Sequence, residues 1–278
     1  MTDRCLAVHD TLQGGLMAIR AFTGVAMLAL MATPAAAQKR GDQATLVFTV
    51  SGAYIQGTNL WATQHQPIQD GVFTDFYNLH RNIKSTLGAS LAGTYYPGAT
   101  VGFTAEAFLM GMGYDDGCAL DAPPASVPNA EVCTDIDNQD KSAAAAALSA
   151  GAIFRIAPRE SISPFARVGA GLLFTNQSSI LTEGESASSG GALLVVYDDD
   201  KRSRVLPAFT LGVGTTFAIN RGYHLRWEVR DNYVGVAAVT GTTSGARQIP
   251  PHETVYKHLI SVHIGLDVVL ERDRGRRY

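Results

Sequence analysis

The feature that most constrains the fold is a period of two in the apolar residues. In the segment HLRWEVRDNY, residues 224–233, charged or polar side chains alternate with large and mostly apolar ones. This period is the pattern of a β-strand with two chemically different faces. Eight segments share it, and they are longer than the usual globular strand of about 5–6 residues: 44–56, 85–96, 100–112, 142–156, 162–175, 205–219, 223–234 and 256–270.

The connections between these segments alternate between short and long. Turn-forming residues predict three tight turns, at 97–99, 157–160 and 220–222. The other four connections are polar and rich in Gly, Ser, Asp and Pro, so we expect loops at 57–84, 113–141, 176–204 and 235–255. This alternation is typical of an up-and-down barrel with both termini on the turn side. The segment 142–152, SAAAAALSAGA, has a helix-favouring composition, but its place beside a tight turn favours a strand.

The two faces of the predicted strands differ in the same way throughout. One face is apolar, as in Ile260, Val262 and Ile264, and the other mixes Gly, Ser, Thr and charged residues. Bulky side chains from eight strands would overfill a narrow lumen, so we expect the apolar face to contact lipid. The predicted fold class is therefore all-β, an eight-stranded antiparallel up-and-down transmembrane β-barrel. Tyrosines at strand ends fit interfacial girdles: Tyr54, Tyr95, Tyr96, Tyr223, Tyr233 and Tyr256.

The polar face carries the charges that we expect inside the barrel. A lumen of low dielectric constant requires its charges to be paired. We predict a salt-bridged plug, and a gated pathway for ions or small solutes is the alternative. The predicted lumen charge network consists of Glu106, Arg155, Arg167, Arg226, Glu228, Arg230, His263 and Asp267.

The first 37 residues predict a cleaved signal peptide. Arg20 precedes an apolar run, and Ala35 and Ala37 supply the small residues of a cleavage site between Ala37 and Gln38. An N-terminal membrane anchor is the alternative, and translation starts at Met1 or Met17. The predicted domains are thus the signal peptide 1–37, the barrel 38–270 and a short charged periplasmic tail 271–278.

The number of cysteines and the net charge further restrict the functions that the chain could have. Cys118 and Cys133 are the two cysteines after residue 37, and an exported chain with two nearby cysteines predicts a disulfide between them. That stretch offers too few ligands for a metal site. The formal net charge of −3, with 22 basic and 25 acidic residues, gives no global basic surface for nucleic acid.

Two groups of residues invite a catalytic hypothesis. Ser261, His263 and Asp267 share the lumen face, as a Ser-His-Asp triad would, but any polar lumen contains such residues. Asp231 and His258 lie on the outward face near the long connections, where they could act on lipid, although no serine nucleophile matches their height. We therefore assign no catalytic residue. The acidic segments 135–141 and 197–204 could bind Ca²⁺ but do not match an EF-hand, and we expect solvated loops.

These features resemble the small outer-membrane β-barrel family, whose best-known members are outer membrane proteins A and X. The similarity covers about residues 42–270 and is one of architecture, without a short motif. In the family the last strand commonly closes the chain with an aromatic residue, whereas here ERDRGRRY follows Leu270. The resemblance implies the outer membrane of a Gram-negative-type bacterium, no cofactor, contact with outer-membrane lipid and lipopolysaccharide, and folding by the barrel-assembly machinery.

The resulting functional prediction is a monomeric, non-enzymatic barrel with a structural or surface-interaction role. Its four long extracellular loops would present a surface to an unknown extracellular ligand. The alternatives are a narrow-pore or lateral transporter of small solutes and a lipid-modifying enzyme similar to lipid A deacylases.

Overall fold

The structure is a computed structural model that describes residues 44–70, 73–158, 160–175, 180–199, 204–220 and 222–270. The predicted signal peptide, its cleavage site between Ala37 and Gln38 and the charged tail lie outside the described residues. In the described part of the chain, no helix is long and apolar enough to cross a membrane.

The described chain contains fourteen strands and one helix. In chain order the strands are β1 (Thr45–Ile55), β2 (Thr58–Asp70), β3 (Phe73–Ile83), β4 (Thr86–Tyr96), β5 (Val101–Gly111), β6 (Tyr114–Leu120), β7 (Asp140–Lys141), β8 (Ala144–Arg155), β9 (Ile162–Thr175), β10 (Ile180–Ser186), β11 (Ala192–Asp199), β12 (Arg204–Ala218), β13 (Tyr223–Val239) and β14 (His252–Leu270). The helix α1 (Val127–Asp137) lies between β6 and β7.

Eight of these strands form a closed antiparallel barrel in the order β1-β14-β13-β12-β9-β8-β5-β4. Strand β1 closes the barrel against β14, with Leu46 opposite Leu270 and Ile55 opposite Ser261. The predicted eight-stranded antiparallel barrel is therefore confirmed. The alanine-rich segment forms β8, because β5 and β9 pair with it on both sides.

Two barrel strands run further than the sequence pattern predicted. Strand β13 ends at Val239 and β14 begins at His252, and these two residues pair as the end of a two-stranded ribbon. The ribbon was not predicted because its residues, such as Gly235 and Glu253, break the alternation that marks the rest of both strands.

The barrel has the predicted inverted polarity. Leu211, Val213 and Ile264 are 63%, 59% and 60% exposed on the outer wall, whereas Glu228 and Asp267 are 0% exposed inside. One girdle residue was predicted wrongly: Tyr96 is buried and faces the lumen, while its neighbour Tyr95 is exposed. Adjacent residues of a strand point to opposite faces, so both tyrosines could not lie on the outer wall.

The four connections predicted to be loops contain strands or a helix over most of their combined length. Strands β2, β3, β6 and β7 form a four-stranded sheet, and β10 and β11 form a hairpin that contacts α1. We call these six strands and α1 the cap. Its buried apolar residues are continuous with those of the upper barrel, and this shared core outweighs the polar composition of the connections: Leu60, Trp61, Ile68, Tyr77, Leu79, Ile83, Val132, Ile136, Ile180, Val196, Phe108, Met110 and Val234.

The helix of the cap is held by an N-cap and by a disulfide. Ser126 is its N-cap, with the side chain accepting a 3.2 Å hydrogen bond from the backbone N–H of Asn129. Cys118 and Cys133 form the predicted disulfide, which joins β6 to α1. The polar, proline-rich stretch between the two cysteines is therefore an ordered part of the cap.

Candidate functional site: the barrel lumen and its cap

The lumen contains a chain of alternating charges. Arg167 on β9 and Arg230 on β13 both pair with Glu106 on β5, the latter at 2.7 Å between Nη1 and Oε1. Strands β5 and β13 are four places apart in the eight-stranded ring, so they face each other across the barrel. The Arg230–Glu106 ion pair therefore spans the lumen from wall to wall.

The series of alternating charges continues toward β14 and β1, the strands that close the barrel. Glu228 accepts a 2.9 Å hydrogen bond from Arg230 and a 3.2 Å hydrogen bond from Arg226. Arg226 in turn donates to Asp267 at 3.4 Å, and Thr49 on β1 donates to the same carboxylate oxygen at 2.7 Å. Three guanidinium groups thus alternate with three carboxylates, so the lumen network is neutral, as a buried set of charges requires.

Glycines on the inner face leave room for these long side chains. A Cβ on Gly212 would lie 2.6 Å from Oε1 of Glu228 and 3.2 Å from Cγ of Arg230. A side chain at this position would therefore require the buried side chains of Glu228 and Arg230 to shift.

Two residues predicted to belong to the network form other contacts in the same lumen. The guanidinium carbon of Arg155 lies 3.8 Å from the ring centroid of Tyr96, a cation–π contact. His263 is buried, with Nε2 at 3.0 Å from the hydroxyl of Ser261 and its ring 5.2 Å from that of Phe108. The structure therefore brings together Glu106, Arg167, Arg226, Glu228, Arg230 and Asp267, and leaves Arg155 and His263 beside them.

Small polar residues complete the lumen and were not predicted as members of the site. Ser51 and Ser90 bond to each other at 2.7 Å, and Asn232 donates to Ser261 at 2.8 Å. All of them occupy the inward parity that carries the charges, so the alternation contains the signal that could have identified them.

The Ser-His-Asp arrangement is not formed. Ser261 contacts His263, but the carboxylate of Asp267 binds Thr49 and Arg226, and Nδ1 of His263 has no hydrogen-bond partner in the described part of the chain. A catalytic triad needs the acid to orient the imidazole, and Asp267 does not do so.

The outward pair Asp231–His258 is formed. Nδ1 of His258 lies 2.7 Å from Oδ2 of Asp231, and the imidazole packs 4.8 Å from the ring of Tyr233. Among the described residues no serine hydroxyl is hydrogen-bonded to His258. The pair therefore has an acid and a base but no nucleophile.

The acidic segments considered for Ca²⁺ have structural roles where they are described. Asp135 lies in α1 and accepts a 2.9 Å hydrogen bond from the backbone of Glu185, and Tyr197 is fully buried. Within the described ranges, no three His, Cys, Asp or Glu residues are grouped so that they could hold a metal ion.

A second buried polar cluster closes the cap above the lumen. The side-chain oxygen of Gln66 on β2 accepts from the hydroxyl of Tyr197 on β11 at 3.0 Å and from the backbone of Thr243 at 2.9 Å. Burial raises the pKa of Tyr197 to about 12, so the phenol is neutral and donates. Three different long connections are therefore joined at one glutamine.

A buried ion pair also stabilises the cap. Arg81 on β3 pairs with Asp116 on β6, and both side chains are almost completely buried. The guanidinium carbon lies 4.1 Å from the ring centroid of Tyr114 and 5.4 Å from that of Trp61. Burial also raises the pKa of Tyr114 and lowers that of Lys141.

A small cavity lies inside the barrel beside the charge network. It has a volume of about 20 Å³ and is lined by residues of the barrel strands, among them Glu106, Phe108, Arg230 and Val234. A volume of this size accommodates about one water molecule.

No family model and no curated protein matches the sequence. Several solved structures are similar in fold. Neisserial surface protein A is 10% identical, with a TM-score of 0.40 over 82% of this chain and 99% of that chain. The outer membrane protein OprG from Pseudomonas aeruginosa is 11% identical, with a TM-score of 0.44 over 83% and 97%. Ail, the attachment invasion locus protein of Yersinia pestis, is 12% identical, with a TM-score of 0.37 over 82% and 99%. The closed eight-stranded barrel itself confirms the predicted resemblance at the level of the fold.

Proposed function

We propose that the protein is an integral outer-membrane barrel with a closed lumen, whose cap presents a rigid surface outside the cell. The observation that carries this proposal is the inverted polarity of the wall. Large apolar side chains cover its outside, whereas the charged chain from Arg167 to Asp267 is buried inside. In water such an outer wall would be a large exposed apolar patch, and in a bilayer it is the expected lipid-facing band.

The closed lumen supports a structural or interactive role over transport. The Arg230–Glu106 pair crosses the barrel, and the cap covers the mouth above it with the cluster around Gln66. A conducting state would require both layers to move. Charged residues in a closed and neutral chain stabilise one arrangement, because moving one member leaves its partner buried and unpaired.

The cap supports a role in binding at the cell surface. Ordered strands, a disulfide and buried polar clusters hold it in one conformation, and rigid surfaces bind with less loss of entropy than mobile loops. It also exposes large apolar side chains that a partner could cover: Phe73, Phe76, Val127 and Leu193. The proposed partners are outer-membrane lipid and lipopolysaccharide around the wall, the barrel-assembly machinery during folding, and an unidentified extracellular ligand on the cap of a monomer.

Two measurements test the proposal. Membrane partition with heat-modifiable mobility on unboiled gels tests whether the chain forms a membrane barrel, and a soluble protein without that shift would contradict it. Conductance in planar bilayers tests the closed lumen, and we expect no steady unitary current from the intact protein. Steady currents that change in Glu228→Ala would instead favour the transport alternative, and altered lipid A in mass spectra of cells expressing the protein would favour the enzyme.

A further inference from the structure

A polar and aromatic cluster interrupts the outer wall on the side of the cap. Tyr233 stacks on Tyr256 with ring centroids 5.0 Å apart and planes inclined by 21°. The ring of His258 also lies against Tyr233, and Asp231 binds the Nδ1 atom of its imidazole. We call these four residues the outer aromatic cluster. It contains the two tyrosines predicted for a girdle on β13 and β14 together with a paired imidazole and carboxylate.

The cluster differs from the rest of the wall formed by these two strands. From Tyr223 and Val268 up to Val229 and Val262, their paired outward residues are apolar or aromatic. Asp231 and His258 are the first ionisable pair above them, and their side chains are 33% and 64% exposed. Placing these groups in the middle of a lipid band would be unfavourable, so their position marks the edge of the band.

The strand geometry places this edge at the headgroups. Ten residues separate Tyr223 from Tyr233, which is about 34 Å along a strand and roughly 25 Å along the normal of a bilayer at the usual tilt. This matches the thickness of the apolar band of such barrels. The two tyrosines therefore lie at opposite edges, and the cluster lies in the headgroup region of the leaflet on the side of the cap.

Three polar groups of the cluster are available to a ligand. In the described part of the chain, Nε2 of His258 and the hydroxyl groups of Tyr233 and Tyr256 have no hydrogen-bond partner. Asp231 is not among them, because its Oδ1 is enclosed and its Oδ2 binds the imidazole.

These groups fit a sugar better than a phosphate. The C–H bonds of a sugar ring carry a slight positive charge and are attracted to the negative face of an aromatic ring. The imidazole Nε2 accepts hydrogen bonds from sugar hydroxyls, and the tyrosine hydroxyls can donate to or accept from them. A phosphate needs positive charge, and the cluster combines a carboxylate with an imidazole that is at most singly charged.

We propose that the outer aromatic cluster binds the sugar headgroup of a membrane glycolipid in the leaflet on the side of the cap. This inference rests on the proposed function, because it requires the wall to be embedded in lipid. The occupant is lipid-borne and not a free saccharide, since the apolar wall below the cluster would hold the acyl chains against Val229 and Val262.

Native mass spectrometry of the folded protein in an amine-oxide detergent tests the inference. The probes are a glucosyl diacylglycerol and a phosphatidylglycerol with the same acyl chains. We expect the intact protein to retain about ten times as much glycolipid as phospholipid, because one additional stacked contact is enough for a tenfold difference in affinity. Tyr233→Ala/Tyr256→Ala and His258→Phe should each abolish that preference.

Tyr54→Ala is the matched control, because Tyr54 is an exposed outward tyrosine on β1 near the same edge. Heat-modifiable mobility shows for each variant that the barrel has formed. Equal retention of both lipids, an equal loss in Tyr54→Ala, or displacement by an equal concentration of methyl glucoside would each overturn the inference and leave the barrel proposal intact. A chain that does not enter the membrane at all would overturn both.

Discussion

At the scale of single residues, the lumen network depends on the carboxylate of Glu228. It is completely buried, and it joins Arg226 to Arg230. Glu228→Gln removes a negative charge and leaves three arginines with two acids in the same chain. We expect the free energy of unfolding to fall by about 3–5 kcal/mol, the usual cost of an uncompensated buried charge.

Urea unfolding of the protein in vesicles, followed by tryptophan fluorescence, measures this loss. Glu253→Gln is the matched control, because Glu253 is an exposed glutamate on β14 and its replacement should change stability by less than about 0.5 kcal/mol. A loss that is equally small in Glu228→Gln would mean that the lumen charges are solvated and that the barrel is open.

Tyr197 makes the stability of the cap depend on pH. Its folded pKa of about 12 lies above the usual value near 10, so the neutral phenol is favoured in the folded state. The corresponding stabilisation is complete below about pH 10 and is lost as the pH rises toward 12. It amounts to about 2 kcal/mol once partial solvent screening is considered.

Protease resistance of the cap between pH 9 and about pH 12 checks this expectation. Tyr197→Phe, which cannot ionise, should lose its hydrogen bond to Gln66 at every pH but should show a flatter profile than the intact protein. Identical profiles would contradict the assignment of the alkaline transition to Tyr197.

The sequence predicts the charged members of the lumen site but not their partners. Parity identifies Glu106, Arg167 and Arg230 as inward residues, because alternation depends only on neighbours in the chain. Which of them meet depends on the stagger between strands far apart in the sequence. Arg155 illustrates this limit: it lies on the predicted face, yet it contacts the ring of Tyr96, a residue assigned to the wrong face.

At the scale of elements, the disulfide joins two neighbouring parts of the cap covalently. Cys118 belongs to β6 and Cys133 to α1, with a sequence separation of 15 residues. Cys118→Ala/Cys133→Ala should destabilise the cap by about 3 kcal/mol in the chain-entropy model. The barrel strands do not contain either residue, so they should keep their pairing.

Limited proteolysis separates the two effects. We expect faster cleavage between β6 and α1 in the double variant, together with an unchanged heat-modifiable shift of the barrel. Reduction of the intact protein should have the same result. Loss of the heat-modifiable shift after either treatment would show that the barrel cannot form without the disulfide in the cap.

The cap is also the part of the fold that the sequence pattern did not reveal. Strand β3 does alternate, with Tyr77, Leu79 and Ile83 buried, but the fourth inward residue is Arg81, whose partner Asp116 comes from β6. In the sequence, a charged residue that is buried in an ion pair cannot be distinguished from a surface residue until its partner is known. The core of the cap therefore cannot be predicted from any one polar connection, because it forms only when several of them pack together.

At the scale of the whole molecule, the charged chain and the cap close the barrel at two levels. The first level is held from opposite walls through β5 and β13, and the second joins three long connections at Gln66. The β13–β14 ribbon links the levels, because the same two strands carry Glu228 inside the barrel and contact β2 of the cap above it.

The position of the bilayer gives the final prediction. Val213 and Val205 lie on the outer face of β12, and their side chains are 59% and 57% exposed. The two positions therefore differ in their height along the wall but are almost equally exposed. Val213 pairs with Val229, midway between the tyrosines at the two edges, whereas Val205 lies near the cap. Val213→Arg should lower the free energy of unfolding in vesicles by about 2–4 kcal/mol, and Val205→Arg by about 0–1 kcal/mol. If water surrounded the wall, both arginines would be tolerated equally, and equal unfolding midpoints in urea would refute a membrane-spanning barrel.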